Sequence, residues 1–144
     1  MKRDIKRIVS HYRKKFNTTD PFVIADQLGI LYQTGALKYE GCYMFLKNHR
    51  YIFLNEDLSP HEQKLVMAHE LGHAILHRKE NCYFIRNKTL LLNSKNEIEA
   101  NKFAIELLLP DEILNDYIES GYTIEQVARI TGYYQKLIEL RLKV

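Results

Sequence analysis

Residues 59–77 read Ser59-Pro60-His61-Glu62-Gln63-Lys64-Leu65-Val66-Met67-Ala68-His69-Glu70-Leu71-Gly72-His73-Ala74-Ile75-Leu76-His77, and this stretch decides the reading of the chain. Ser59 and Glu62 have capping-box spacing, and Pro60 falls at the first helical position, so a helix starts here. Leu65, Val66, Met67, Ala68, Leu71, Ala74, Ile75 and Leu76 make it apolar on most sides, which predicts a buried helix. Inside it stands H-E-x-x-H: His69, Glu70 and His73. Two histidines four apart share one helix face, so both imidazoles can bind one zinc ion. Glu70 can then take a proton from a water at that ion, whose pKa zinc lowers to about 7. The expected chemistry is hydrolysis, most often of a peptide bond. A chance match in a chain of this length is on the order of one in a hundred or fewer. The competing view, two half-exposed histidines with no metal, fits poorly with a capped, buried helix.

A catalytic zinc site takes three protein ligands and leaves one position open. His77 continues the face of His69 and His73, but it lies about 12 Å along the axis from His69, too far to share one ion. It reads as an outer partner of the site or a surface residue. The spacing also rules out a third histidine in the metzincin pattern, because that pattern's glycine and histidine would fall at Leu76 and Lys79. A carboxylate from the next helix is expected instead, and Glu97 and Glu99 are the candidates. Ser94-Lys95-Asn96-Glu97 is a second capping box, which gives Glu97 a local task. Glu99 has none and sits beside Ala100 on an inward-facing stretch. Glu99 is therefore preferred, with Glu97 as the alternative.

Outward from this core, residues 5–16 form an amphipathic first helix through Ile5, Ile8, Val9, Tyr12 and Phe16. Asp20 and Pro21 open a second helix that Gly29 closes. Residues 41–46 and 51–54 read as strands joined by residues 47–50, with a shorter strand at residues 30–33. Past the motif, residues 78–93 form a long connection with apolar clusters at Tyr83-Phe84-Ile85 and Leu90-Leu91-Leu92. A helix starting at Ser94 stops before Pro110. Helices follow at residues 111–119, 124–130 and 133–142. The fold class is thus α+β: a small three-stranded sheet packed on the H-E-x-x-H helix, with a helical C-terminal tail. Residues 1–110 form the main domain, and residues 111–144 form a helix-turn-helix-like cap in the same compact unit.

The 144 residues are 46% hydrophobic, enough to bury a core in one domain. The net charge of +3 is uneven. Lys2, Arg3, Lys6, Arg7, Arg13, Lys14 and Lys15 face only Asp4 over residues 2–15, and the rest of the chain is acidic. This reads as a solvated helix face rather than a nucleic-acid surface. The basic start has no apolar segment behind it, so no signal peptide is expected. No stretch approaches the ~18 apolar residues of a membrane span. Cys42 and Cys82 form no C-x-x-C and fit a reducing cytoplasm.

The string His69-Glu70-Leu71-Gly72-His73-Ala74-Ile75-Leu76-His77, then Glu97-Ile98-Glu99-Ala100-Asn101-Lys102-Phe103-Ala104 and Leu107-Leu108-Leu109-Pro110, resembles the ImmA/IrrE family of metallo-endopeptidases. Asp20-Pro21-Phe22, Gly29-Ile30 and Ile52-Phe53-Leu54-Asn55 share the likeness, which spans about residues 20–110. The resemblance implies a zincin-like fold, zinc as cofactor, His69, His73 and Glu99 as ligands, and Glu70 as the catalytic acid and base. It further implies a protein partner: a helix-turn-helix repressor of a phage or mobile element, cleaved to switch on the element's genes.

For substrate, the edge strand at residues 41–46 is the expected docking site, with residues 78–93 as a flanking wall. Tyr43, Tyr51, Tyr83 and His49 are all possible second donors to the oxyanion. Two other functions stay open. One is a metal-binding regulator that holds its partner without cutting it. The other is a DNA reader, since Ala128, Gly132 and Ile138 have helix-turn-helix spacing. Lys136, Arg141 and Lys143 against Glu139 are few basic residues for a recognition helix, which argues against nucleic acid.

Overall fold

The structure is a computed structural model that describes residues 3–80 and 94–143. Helix α1 (Ile5–Phe16) starts where the Asp4 carboxylate accepts the backbone N–H of Arg7, and it ends at Asn17 in the left-handed region. Its last turn carries Arg13, Lys14 and Lys15, which complement the negative end of the helix dipole. Helix α2 (Pro21–Gln27) is capped by Asp20, whose side chain accepts Phe22 N–H. Gly29, at φ 70°, then turns the chain into the sheet.

The three strands are β1 (Leu31–Gly35), β2 (Gly41–Leu46) and β3 (His49–Asn55). β3 lies in the middle, parallel to β1 with Leu31 opposite Tyr51, and antiparallel to β2 with Leu46 opposite His49. The β2–β3 turn is tighter than the sequence suggests. Lys47 and Asn48 both take positive φ, 49° and 63°, which matches the twist of a two-residue hairpin. His49 and Arg50 therefore belong to β3. Among the described residues β2 is an outer strand of the sheet, on the side of the H-E-x-x-H helix.

That helix, α3 (Pro60–Leu76), starts with the full capping box: Ser59 Oγ accepts Glu62 N–H, and Glu62 accepts the N–H of Ser59. From Leu65 to Ala74 every side chain is buried. It lies against β2, β3 and α2 on one side and α4 (Lys95–Leu108) on the other. The α3–α4 approach depends on Gly72. A Cβ there would lie 3.0 Å from Phe103 Cβ and 3.1 Å from Ala100 Cα.

Helices α5 (Asp111–Glu119), α6 (Ile124–Thr131) and α7 (Gln135–Leu142) complete the chain. Leu114, Val127, Leu137 and Ile138 join the buried cluster that also holds Met67, Leu71 and Phe103. Arg141 fixes α7 from within: it donates to Leu109 O at 2.9 Å and pairs with Glu106 and Asp111. Tyr133 stacks on His61 at the start of α3, and Gly132 has no room for a Cβ, which would lie 2.9 Å from His61 Nε2. The clusters at residues 83–85 and 90–92, and Cys82, lie outside the described residues.

Candidate metal centre

Burial first separates the H-E-x-x-H residues from ordinary helical polar groups. His69 and Glu70 are fully buried and His73 is 3% exposed. Ligand-type atoms of these three residues lie within 4.8 Å of one another. Buried polar atoms are nearly always hydrogen-bonded. Here both Glu70 carboxylate oxygens and His73 Nε2 have no hydrogen-bond partner among the described residues.

The fourth member comes from the first turn of α4. Glu97 Oε1 lies 3.1 Å from His69 Nε2, and Glu97 Oε2 lies 2.7 Å from His73 Nε2. One carboxylate thus spans both imidazoles. The His73 contact is short yet lacks hydrogen-bond alignment, so it brings two electron-rich atoms together rather than a donor and an acceptor. Two imidazole nitrogens with one carboxylate against both, and unsatisfied buried atoms beside them, suit a divalent cation such as zinc.

The ring nitrogens on the far side are held as well. His69 Nδ1 donates to Asn101 Oδ1 at 2.8 Å, which leaves its Nε2 lone pair for the centre. Glu97, Ala100, Asn101 and Ala104 follow the helical repeat, so one face of α4 supplies both the carboxylate and the partner of His69. His73 Nδ1 lies 3.0 Å from His77 Nδ1, and His77 Nε2 lies 2.8 Å from Glu99 Oε1. His77 is buried against His73 and is not a surface residue. Burial lowers its pKa, which favours the neutral ring.

The preferred Glu99 therefore sits one turn of α3 away from the His69–His73 pair, on His77, and its second oxygen faces Arg3 at 3.6 Å. The capping argument that set Glu97 aside does not hold. Ser94 Oγ accepts Glu97 N–H, but the Glu97 carboxylate makes no return bond to Ser94 and is turned to the histidines. The i, i+4 pairing of Glu97 with Asn101 was the available signal, and Asn101 itself was missed.

Electrostatics distinguish the carboxylates. Burial, reinforced by Glu97 and Glu40 and only partly offset by His73, pushes the Glu70 carboxyl up to about 8. Burial alone would also raise Glu97, but its close contacts with His69 and His73 overcome this and hold it far below the usual range. One acid is thus poised to exchange a proton near neutrality, while the other stays ionised.

Gly41 on β2 explains how the sheet edge meets the centre. A Cβ there would lie 2.6 Å from Val66 Cγ1 and 3.2 Å from Glu70 Oε2. Of the possible oxyanion donors, Tyr43 is buried and its hydroxyl donates to Arg78 O. His49 and Tyr51 make ring contacts with each other, and Tyr51 also stacks on Phe53. Tyr83 lies outside the described residues.

Fold and site together define a class, a zincin-like metallopeptidase domain. The chain belongs to the family described as the IrrE N-terminal-like domain, a peptidase family, which it matches over residues 22–143. It is 37% identical over 139 residues to "Uncharacterized immunity region protein 2" of Bacillus phage phi105, covering 95% of this chain and 88% of that protein. It is 42% identical over 80 residues to "Metallopeptidase ImmA" of Bacillus subtilis (strain 168), covering 54% of this chain and 46% of that protein.

Proposed function

We propose that this metallopeptidase is a zinc-dependent endopeptidase that cleaves a helix-turn-helix repressor of a phage or mobile element in the cytoplasm. The observation that carries the enzymatic part is the Glu97 carboxylate lying against both histidine Nε2 atoms, with the Glu70 carboxylate, unpartnered among the described residues, beside them. In this reading His69, His73 and Glu97, rather than Glu99, hold the metal. When bound, zinc supplies Lewis acidity and lowers the pKa of a water. Glu70 takes the proton from the attacking water and delivers it to the leaving amine.

The substrate would lie along β2 as an added strand, since Gly41 brings that strand against Glu70. The immunity-region name of the phage relative supports a repressor as target. Exposed Ile118, Tyr122 and Ile130 on the tail offer apolar contacts for a folded partner. A role in DNA binding is weakened because Arg141, one of three basic residues near α7, is buried in ion pairs. Among the described residues no helix is long and apolar enough to cross a membrane.

The test uses purified protein, zinc and the repressor encoded beside its gene. The expected result is a single cut that Glu70→Gln abolishes while zinc content stays near one per chain. Equal cleavage by the variant, or efficient digestion of unfolded casein with no preference for the repressor, would overturn the proposal.

A further inference from the structure

Two side chains next to the centre have no part in the chemistry above, yet both are buried and paired. His77 is 5% exposed and Glu99 is 8% exposed. Buried polar groups are costly unless a partner satisfies them, so their arrangement calls for a physical reason. The bonding order is fixed by what each atom can do. Ionised Glu99 can only accept, so His77 Nε2 must donate to it at 2.8 Å. A neutral His77 then has a bare lone pair at Nδ1. The neighbouring atom, 3.0 Å away, is His73 Nδ1, which must donate. A neutral His73 with its proton on Nδ1 has its lone pair on Nε2, the atom 2.7 Å from Glu97.

Resting on the metal-centre reading above, we propose that His77 and Glu99 are positioning residues. The chain Glu99–His77–His73 holds His73 in the tautomer and ring orientation that present Nε2 to the metal. Asn101 does the same for His69 with one amide. Arg3, just before α1, faces the far end through the second Glu99 oxygen at 3.6 Å. Carboxylate-backed histidines are more basic ligands, and losing such outer partners typically costs 10–100-fold in metal affinity.

The experiment measures zinc affinity by chelator competition in wild type, His77→Phe, Glu99→Leu and the double variant. It also follows the His73 Nδ1–H resonance of the zinc-loaded protein by NMR. Each single variant should lower affinity by roughly 10–100-fold and leave one zinc bound at saturation. The double variant should be no worse than the more damaging single one, because both changes break the same chain. The protected Nδ1–H resonance should be lost in His77→Phe. His77→Gln, whose amide carries an acceptor and a donor spaced like the two ring nitrogens, should recover most of the affinity.

Unchanged affinity in both single variants, while His69→Ala and His73→Ala abolish binding, would overturn the chain and leave the metal centre intact. Loss of zinc stoichiometry in Glu99→Leu with His77→Phe neutral would make Glu99 a direct ligand, also against the chain. Zinc binding that survives His69→Ala and His73→Ala would instead remove the reading on which the chain rests.

Discussion

Two helices of this protein begin with the same pattern, Ser59-Pro60-His61-Glu62 and Ser94-Lys95-Asn96-Glu97, and the two glutamates do different things. Glu62 closes its capping box and stays exposed. Glu97 gives up the return bond and places its carboxylate between two buried histidines. The difference follows from magnitudes. A helix cap is worth about 0.5–2 kcal/mol. A buried imidazole left without a partner costs as much or more. Where α4 starts beside α3, the site outweighs the cap; where α3 starts, only water and the backbone compete. A local sequence rule thus describes what a residue can do, and the neighbours decide whether it does.

The sharpest way to break this comparison is to make the same change at both glutamates. Glu97→Gln should reduce zinc affinity by more than the 10–100-fold expected for an outer partner. Glu62→Gln should leave zinc binding unchanged and keep its box, since glutamine serves equally there, as Gln126 does at the start of α6. Chelator competition on both variants measures this. Equal zinc affinities would mean that Glu97 does not hold the metal.

Glu70 comes next, with effects on cleavage and on stability. Cleavage by Glu70→Gln should fall by about 10²–10⁴-fold if proton transfer is its task. The stability effect concerns the metal-free protein. The folded carboxyl is raised to about 8 by burial, so the folded state holds its proton more tightly than the unfolded chain. Stability is therefore fully present below the unfolded value of about 4.3 and is lost as pH rises through 8. Glu97 has the opposite sign, lowered rather than raised, and its contribution is lost only as pH falls below the unfolded carboxyl value. Between pH 5 and 8 the difference between wild type and Glu70→Gln reports Glu70. The variant should gain relative stability across this window, by an amount on the order of 4 kcal/mol at most. Denaturant midpoints at the two pH values give the answer, and a flat difference would show that burial does not hold the proton on Glu70.

Much of this was legible in the sequence because it rested on local signals. The capped, all-round apolar α3, the hairpin, Asp20 before Pro21 and the helix ending before Pro110 are each written within a few residues. His69, Glu70 and His73 were legible because four-residue spacing on a helix fixes their common face. Which of Glu97 and Glu99 lies against His69 and His73 was not, because it depends on how closely α4 meets α3. That distance is set by Gly72 against Ala100 and Phe103, a contact between segments about 28 residues apart. The two-residue turn at Lys47-Asn48 was missed for a different reason. Lysine carries no turn signal, and its positive φ is imposed by strand pairing.

Gly72 tests that dependence directly. Gly72→Ala puts a methyl group 3.0–3.2 Å from Phe103 and the Ala100 backbone. The strain should cost about 1–3 kcal/mol. Because α4 must move away, zinc affinity should fall together with stability, although Gly72 touches no metal ligand. A thermal melt with and without zinc separates the two losses. A destabilised variant with wild-type zinc affinity would show that Glu97 reaches the histidines independently of the helix contact.

The smallest expected effects return to the two caps themselves. Ser59→Ala and Ser94→Ala each remove one acceptor from a helix start, at about 0.5–2 kcal/mol apiece. Ser59 takes part in a reciprocal pair, with bonds of 3.2 Å and 3.0 Å, whereas Ser94 makes the one-way contact at 3.3 Å. Ser59→Ala should therefore be the more destabilising of the two. Zinc affinity should rank them the other way. Ser59 lies ten residues before His69, nearly three helical turns from it, so fraying there leaves the histidines in place. Ser94 steadies the first turn of α4, and that turn carries Glu97. Loosening it leaves the carboxylate to be ordered at the moment of metal binding, which should lower affinity by a few-fold. Wild-type zinc affinity in Ser94→Ala would mean that Glu97 is held by the histidines alone and that its helix start is a passenger.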